Sequence, residues 1–202
     1  LVRRTGGKAF ALAPIPAIEQ EMAAVAALGG QYLFLDSALY PPLLAELANA
    51  PVALMIAGDA ALLAKPAVAI VGARNASAAA CRFARGLAGE LAQAGYAVVS
   101  GLARGIDTAA HQGAMAAPAQ PATIGVIASG FDISFPPENR ALQRAVAEGQ
   151  LLISEYPPGT EPLARQFPQR NRIIAGLAQG TVVVEAAPRS GSLLTARMAA
   201  EM

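Results

Sequence analysis

The chain has 202 residues, of which 54% are hydrophobic, and its 15 basic and 14 acidic residues leave a net charge of only +1. This length allows one domain plus a smaller piece with a sizeable core, and the near-zero charge excludes a strong whole-protein field for nucleic acid. One cysteine and one histidine exclude an internal disulfide and a structural zinc site, and we expect no metal and no cofactor.

The first third of the chain predicts a short, mainly helical region. Residues 15–28 have the pattern of a helix that ends at Gly29, and a second helix is predicted over residues 43–47, directly after two prolines. We therefore predict a partial helical region over residues 1–50.

An apolar run at residues 52–56 predicts a strand, which a turn and a short helix follow. We assign residues 51–66 to a linker with this preceding strand. The chain lacks an initial methionine and stops within a helical pattern, so both ends look cut and we expect a piece of a longer protein.

From residue 67 onward the sequence alternates between strand-length apolar runs and longer segments with a helical pattern. The predicted strands are residues 68–71, 96–99, 123–128, 151–153 and 181–184. The predicted helices are residues 78–94, 108–117, 138–147 and 172–178. This alternation predicts an α/β fold over residues 67–202, a Rossmann-like parallel sheet with helices on both faces, preceded by the short helical region.

The apolar runs are interrupted by glycine, proline or charge before they reach a membrane-spanning length. No signal peptide with a basic flank, an apolar core and a cleavage site opens the sequence. We therefore expect a soluble cytoplasmic protein that does not associate with membranes.

Loops with glycine and arginine follow several predicted strands at their carboxyl ends, where open parallel sheets bind ligands. Arg74, Arg104 and Arg189 lie in three of these loops, and we expect them to converge with the arginines of residues 167–172 at one rim. The alternative is that these arginines pair with acidic residues of the same rim. Those residues are Asp107, Asp132, Glu155 and Glu185.

The loop of Arg189, Ser190, Gly191 and Ser192 leads from the last predicted strand into a helix. Free backbone N–H groups at the start of that helix favour an anion, so these four residues are a candidate phosphate loop. The alternative is a plain turn with a capping serine. Ser77 and Asp107 are likewise expected to cap the helices that follow them.

Motifs that mark an enzyme are missing from the sequence. Neither G-x-G-x-x-G nor G-x-x-x-x-G-K-[ST] occurs, so dinucleotide and nucleoside triphosphate binding lack their signatures, and no G-x-S-x-G elbow is present. His111 and Cys81 are interpreted as packed side chains, since a lone histidine or cysteine within a predicted helix is usually that. Glu185 is the one carboxylate that we consider as a catalytic group, and we expect no enzyme activity.

Five segments of the sequence share motifs with one known family. They are IVGAR (70–74), SGLARGIDTAAHQGA (100–114), TIGVIASGFDISFPPEN (123–139), LISEYPPG (152–159) and FPQRNRIIAGLAQGTVVVEA (167–186). Through them the chain resembles the DNA-processing protein A family, DprA, also called Smf, over the whole Rossmann-like part. The preceding region, with YPPLL at residues 40–44, is similar to the helical SAM-like region and linker of that family.

The resemblance implies a cytosolic bacterial protein of natural transformation that binds and protects incoming single-stranded DNA, forms homodimers and assists loading of the RecA recombinase. It implies no catalysis. The DNA-binding motifs of the family fall on Arg74, Gly101, Arg104, Phe167, Arg170, Asn171 and Arg172 of this sequence. The chain departs from the family at Pro137, where some relatives carry a basic residue, which argues against a phosphate contact there.

The family also has a segment that continues the sheet and supplies much of the dimer contact, and this chain stops before it. We therefore expect the Rossmann-like domain to be truncated at its C-terminus.

The residues themselves also support binding of a single strand, because Phe167 and Arg170 combine an aromatic face for a base with a cation for a phosphate. An alternative from another class is a Rossmann-like phosphoribohydrolase of the lysine-decarboxylase-like group, which also uses glycine-rich loops, arginines and a glutamate at a strand end. The PGGxGTxxE motif of that group is absent here. A third reading is an interaction scaffold whose rim arginines are all paired.

The two arginines of the motif should have different roles. Within a helix, positions two apart project about 200° apart, so Arg170 and Arg172 cannot both face one crevice. Because a proline restricts the backbone just before them, we expect the helix to begin near Asn171 and Arg170 to remain in a loop that contacts DNA. Arg172 is expected to pair with Glu155 or Glu185.

Overall fold

The computed structural model describes residues 12–118, 120–188 and 190–201, which form one mixed sheet flanked by helices. The helices are α1 (Ile15–Ala27), α2 (Pro42–Ala45), α3 (Ala78–Gln93), α4 (Ile106–Met115), α5 (Arg140–Gly149), α6 (Gln166–Leu177) and α7 (Gly191–Ala200). The strands are β1 (Gly30–Phe34), β2 (Ala53–Gly58), β3 (Ala67–Gly72), β4 (Ala97–Ser100), β5 (Thr123–Ile127), β6 (Leu151–Ser154) and β7 (Gly180–Val184). Short 3₁₀ helices cover Ala60–Ala64 and Pro137–Asn139.

The seven strands are ordered β1-β2-β6-β5-β4-β3-β7. The five strands from β6 to β7 in this order are parallel, as the sequence pattern predicted, so their carboxyl ends meet at one edge. The predicted α/β fold is thus confirmed. β1 and β2 extend the sheet in antiparallel pairing beside β6. β1 was not predicted, because only Leu33 of its five residues is buried and the strand shows no alternation.

The N-terminal region joins the same sheet as the Rossmann-like part. β1 lies before residue 50, β2 lies between residues 50 and 66, and the sheet runs through both into β6. The predicted domain boundaries at residues 50 and 66 therefore remain predictions. In the part of the chain that the structure describes, no helix combines the length and the apolar character needed to cross a bilayer.

The parallel strands are buried between two layers of helices. No residue of β4, β5 or β6 is exposed, as expected for strands covered on both faces. One layer packs α6 and the segment with Tyr40 and Leu44 against the sheet. The other packs α3 and α4, with the half-buried Cys81 among them. The helices of the described part of the chain do not cover the carboxyl edge of the parallel strands, where loops form the candidate site.

Helix α6 begins earlier than the sequence predicted. It starts at Gln166, so Phe167 and Pro168 lie inside its first turn. The N–H groups of a first turn have no partner within the helix, so proline costs no hydrogen bond there. The expectation that Arg170 lies in a loop was therefore wrong. The expectation that Arg170 and Arg172 face different neighbours is confirmed.

The two predicted helix caps have different outcomes. Ser77 caps α3 as predicted, since its hydroxyl oxygen accepts the N–H of Ala80 at 3.1 Å. Asp107 does not cap α4, because Gly105 takes the cap position with a φ of 74° and the helix begins at Ile106. Asp107 lies in the first turn instead, with its carboxylate turned back toward the loop after β4.

Helices α3 and α4 approach each other closely at a glycine. A Cβ atom on Gly113 of α4 would overlap the carbonyl oxygen of Arg85 on α3. Gly86, on the exposed side of α3, has open space around the position of its missing Cβ. Substitution of Gly113 therefore tests the close packing of the two helices, whereas substitution of Gly86 tests helix propensity alone.

Gly113→Ala should destabilise the protein by roughly 1–3 kcal/mol, because the added methyl group forces the two helices apart. Gly86→Ala is the matched control and should stabilise the protein by roughly 0.5–1 kcal/mol, since alanine is preferred over glycine in a helix interior. Chemical denaturation of both variants measures the free energy of unfolding. Changes of the same sign would contradict the packing argument.

Candidate functional site

The carboxyl edge of the parallel strands carries two adjoining pockets. The larger, called here the large cleft, has a volume of about 850 Å³ and is lined mainly by residues 71–75, 185–187 and 190–192 and by the first turns of α6. It lies between the ends of β3 and β7, where the strand order reverses, which is the place where open α/β sheets bind ligands. The smaller, called here the aromatic pocket, has a volume of about 40 Å³. Its lining residues are Arg74, Gly101, Ala103, Arg104, Phe135, Pro136, Phe167 and Arg170.

Two phenylalanines and an arginine form the wall of the aromatic pocket. The ring centroids of Phe135 and Phe167 are 5.6 Å apart, with 49° between the ring planes. The guanidinium carbon of Arg74 lies 5.4 Å from the centroid of the Phe167 ring, and this arginine is exposed. No carboxylate of the described residues forms an ion pair with Arg74. The wall thus combines aromatic faces, to which a base can bind, with a cation for a phosphate.

Arg170 is buried beneath this wall, with 5% of its surface exposed. Its Nη1 donates to the carbonyl oxygen of Gly101 at 2.7 Å and to that of Val126. Its Nε donates to Oδ1 of Asn171 at 3.2 Å. A Cβ atom on Gly101 would lie 2.6 Å from Nη1, so glycine is required to make room for the guanidinium. Arg170 therefore joins α6 to the ends of β4 and β5.

Asp107 places a negative charge in the same buried region. Its carboxylate accepts the N–H of Gly101 at 3.1 Å and that of Ala103 at 3.4 Å. Burial raises the pKa of this carboxyl, and the Arg170 cation and the two N–H groups partly offset that effect. Burial lowers the pKa of Arg170 to about 10, which the charge of Asp107 opposes. The turn after β4 is thus held by Asp107 on one side and by Arg170 on the other.

His111 is fully buried one helical turn after Asp107. Its Nδ1 lies 2.7 Å from the hydroxyl oxygen of Thr123, whose own hydrogen is donated to the carbonyl of Val98. Nδ1 is therefore the donor of this contact. Burial, and to a lesser extent the charge of Arg170, lowers the pKa of His111 to about 3. The histidine is a packed and neutral core residue at neutral pH.

The start of α7 lines the large cleft with two serines. The hydroxyl oxygen of Ser190 accepts the N–H of Leu193 at 3.4 Å, and the hydroxyl oxygens of Ser190 and Ser192 are 2.8 Å apart. Asn171 donates from Nδ2 to the carbonyl of Gly191 at 3.2 Å, which ties α6 to this loop. Ser190 thus caps α7, as the alternative interpretation of this loop predicted. Binding of a phosphate by the same loop stays a prediction.

Two of the predicted DNA contacts are paired with carboxylates. Nη2 of Arg172 lies 2.6 Å from both carboxylate oxygens of Glu155, and Arg172 lines neither pocket, so the structure does not bring it to the site. Arg104 lies at the aromatic pocket, with its Nε 3.4 Å from Oε1 of Glu138 in an exposed pair that contributes little. Arg189 lies outside the described residues.

Glu185 borders the large cleft on the side of α3. Its Oε2 accepts the N–H of Ser77 at 2.9 Å and the hydroxyl of the same residue at 2.8 Å. These two hydrogen bonds lower the pKa of the Glu185 carboxyl. Among the described residues, Glu185 and Leu102 are the two non-glycine residues with positive φ, at 51° and 55°. Both follow strands at this edge, and such backbone conformations cluster at functional sites.

The structure brings most of the predicted site together and adds one residue that the sequence reasoning missed. The predicted residues that line one or both pockets are Arg74, Gly101, Arg104, Phe167, Arg170, Asn171, Ser190, Gly191 and Ser192. Phe135 was missed, although it is 43% exposed and packs against Phe167. The available signal was an aromatic residue in a proline-containing loop that follows a strand at the ligand-binding edge. The roles of these residues in DNA binding stay predictions.

Comparison with known proteins relates the chain to one family. The model of the family described as DNA recombination-mediator protein A matches residues 31–202. DNA processing protein DprA of Streptococcus pneumoniae is 45% identical over 166 residues, which cover 80% of this chain and 56% of that protein. DprA of Bacillus subtilis is 40% identical over 187 residues, which cover 92% of this chain and 62% of that protein. The chain spans about half the length of the curated relatives it matches.

Two solved structures of relatives share the fold. The X-ray structure of DprA from Streptococcus pneumoniae has a TM-score of 0.86 and 39% identity, covering 94% of this chain and 64% of that one. DprA from Helicobacter pylori, described with its single-stranded DNA binding mode, has a TM-score of 0.75 and 32% identity, covering 85% of this chain and 77% of that one. The resemblance to DprA seen in the sequence motifs is thereby confirmed.

Arg170→Met should lower the free energy of unfolding by about 3–5 kcal/mol, because it leaves two carbonyls without their hydrogen-bond donor and removes the nearby cation that offsets the buried charge of Asp107. Arg144→Met is the matched control, since it removes an exposed ion pair with Glu148 and should leave stability nearly unchanged. Urea denaturation measures both. An Arg170 variant as stable as the control would show that the fold does not need the guanidinium.

The stability of the protein should fall in mild acid because of His111. Its pKa is about 3 in the folded protein and 6.5 when unfolded, so below pH 6.5 the unfolded chain binds the proton first and stability is lost as the pH falls. At pH 5 the loss is about 2 kcal/mol, from about 1.4 kcal/mol per pH unit.

His111→Asn keeps an N–H for Thr123 but does not titrate, so the variant should lack this loss between pH 7 and pH 5. The free energy of unfolding measured against pH for both proteins is the test. Asp107, whose pKa is raised in the folded protein, makes the protein more stable as the pH falls. This effect is the same in both proteins, so it cancels when the two curves of unfolding free energy against pH are subtracted. Parallel curves would contradict the assignment.

Proposed function

The chain belongs to the DNA recombination-mediator protein A family, and on that premise we propose that it binds single-stranded DNA at the carboxyl edge of its sheet. The observation that carries the proposal is the wall of the aromatic pocket, where Phe135 packs against Phe167 and Arg74 lies over its ring. Stacking of an unpaired base on an aromatic side chain contributes roughly 1–3 kcal/mol, and arginines hold the phosphates. Every base has a π face, so such a site tolerates many sequences.

The geometry favours a single strand over a duplex. The phenylalanines line a pocket between loops and the first turn of α6, and a base contacts them with its face only when it is unstacked and unpaired. Proteins that recognise duplex DNA place a helix or a ribbon in a groove, whereas Arg74 and Arg104 lie in loops around the pocket. A continuous duplex therefore presents the wrong surface to this edge.

The large cleft provides the continuation of the DNA path. It shares Arg74 and Phe167 with the aromatic pocket, so a strand with one base against the phenylalanines passes directly into it. At its far side the residues 190–192 open α7, where backbone N–H groups favour a phosphate. We assign this phosphate contact to the loop as part of the proposal.

We further propose that the protein protects incoming DNA and assists RecA loading in natural transformation, as a cytoplasmic homodimer. The description of the family as a recombination mediator supports this role. The single-stranded DNA binding mode described for the Helicobacter pylori relative supports the ligand. A mediator has to hold a strand and release it to a recombinase, so reversible contacts through stacking and exposed arginines suit the task.

We also propose that the protein is not an enzyme. The phosphoribohydrolase alternative is not favoured, because its PGGxGTxxE motif is absent from the sequence and the chain belongs to a different family. Glu185, the one carboxylate considered for catalysis, is held by the N–H and the hydroxyl of Ser77, which suits a structural contact better than proton transfer.

Binding should be tighter for single-stranded than for duplex DNA of the same sequence. Fluorescence anisotropy with matched labelled oligonucleotides measures both affinities. Because few phosphates fit the two pockets, the plot of log affinity against log salt should be shallow, with a slope of about −0.7 per phosphate contacted. Equal affinity for both forms, or no binding to a long single strand, would refute the proposal.

Arg74→Lys should weaken single-strand binding roughly tenfold, equal to about 1.4 kcal/mol, although it keeps the charge. An ammonium group reproduces neither the planar fork for a phosphate nor the stacking over Phe167. Arg82→Lys is the matched control, because Arg82 is exposed on α3 and lines neither pocket. If both variants bind as tightly as the parent protein, Arg74 contributes only diffuse charge.

A further inference from the structure

The loop between β3 and α3 occupies the place where dinucleotide-binding sheets hold a pyrophosphate. In those sheets a G-x-G-x-x-G loop brings the backbone close to the phosphates at the start of the helix. The corresponding segment here is Gly72-Ala73-Arg74-Asn75-Ala76-Ser77, which keeps only the first glycine. Arg74 stands at the second glycine position and Ser77 at the third. The loop therefore has the position of a phosphate loop without its composition.

A carboxylate of the protein itself fills the anion position of this loop. The N–H and the hydroxyl of Ser77 both donate to Oε2 of Glu185, at 2.9 and 2.8 Å. Ser77 is the N-cap of α3, so Glu185 sits where the positive end of the helix favours an anion. Glu185 directly follows β7 with a φ of 51°, and its side chain reaches the N-cap of α3. The hydrogen-bond donors of Ser77, which a nucleotide phosphate would need, are thus already bound to a negatively charged carboxylate.

We propose that Glu185 is an internal anion that excludes free nucleotides from the large cleft, and so makes the cleft selective for DNA strands over nucleotides that end in a phosphate. This selectivity rests on the single-strand binding proposed above. A base stacks equally well whether it belongs to DNA or to a free nucleotide, so stacking alone does not discriminate. Charge does, because a terminal phosphate group carries more negative charge than a phosphodiester and is repelled more strongly by the carboxylate.

Glu185→Gln tests the proposal with little change of geometry. Both donors of Ser77 contact one oxygen of the carboxylate, so the amide oxygen of glutamine can accept both while the charge is lost. The probe is ADP, titrated calorimetrically into the DNA-free protein. We expect Glu185→Gln to bind ADP at least tenfold more tightly than the parent protein.

Glu90→Gln is the matched control, because it removes the same charge from the exposed far end of α3, about 20 Å along the helix from Ser77. It should bind ADP as weakly as the parent protein. Glu185→Gly is a second charge-free variant, which also suits the positive φ, and it should show the same gain. Melting temperatures of all variants confirm that they are folded.

The outcomes separate this proposal from the proposed function. Equal affinity of the parent protein and both Glu185 variants for ADP would overturn the role of Glu185, whatever the DNA result. Oligonucleotide binding is measured in parallel by anisotropy. If the Glu185 variants gain ADP binding but the parent protein does not bind a single strand, charge exclusion at the cleft stands, but its assignment to DNA selectivity is overturned together with the proposed function.

Discussion

The carboxyl edge of the sheet depends on the burial of one guanidinium group. A buried cation is tolerated only when hydrogen-bond acceptors and opposite charge surround it, and Arg170 has the carbonyls of Gly101 and Val126 and the nearby charge of Asp107. Glycine is required at position 101 because a Cβ atom there would occupy the space of the guanidinium. The loop after β4, the end of β5 and the N-terminal part of α6 are thereby joined in one arrangement.

The arginines of this edge differ in whether they have partners inside the protein. Arg170 and Arg172 are committed to partners inside the protein, the first to strand ends and the second to Glu155. Arg74 and Arg104 remain exposed on the rim of the aromatic pocket. A protein with a net charge of only +1 can therefore present two cations to a ligand at one edge, because position rather than overall charge decides where the field is strong.

The same edge also carries an anion, because Glu185 lines the large cleft. Glu185 is held by Ser77, and the two residues are 108 positions apart in the chain. The cleft thus has cations toward the aromatic pocket and a carboxylate at the start of α3. The carboxylate distinguishes this site from a dinucleotide site built on the same sheet topology, where the corresponding loop holds a pyrophosphate.

The sequence by itself determined the alternation of strands and helices and the glycine loops at the carboxyl edge, because periodicity and turn residues act over a few neighbouring positions. It also placed Arg74 and Phe167 at one edge, since parallel strands end together. Only the tertiary structure decided that Arg170 is buried. The first turn of α6 accommodates Pro168, so the helix begins at Gln166 and includes Arg170, which the sequence pattern placed in a loop. The tertiary structure alone brought Phe135 to Phe167 and paired Arg172 with Glu155. Such pairings join distant segments through packing, which local patterns do not contain.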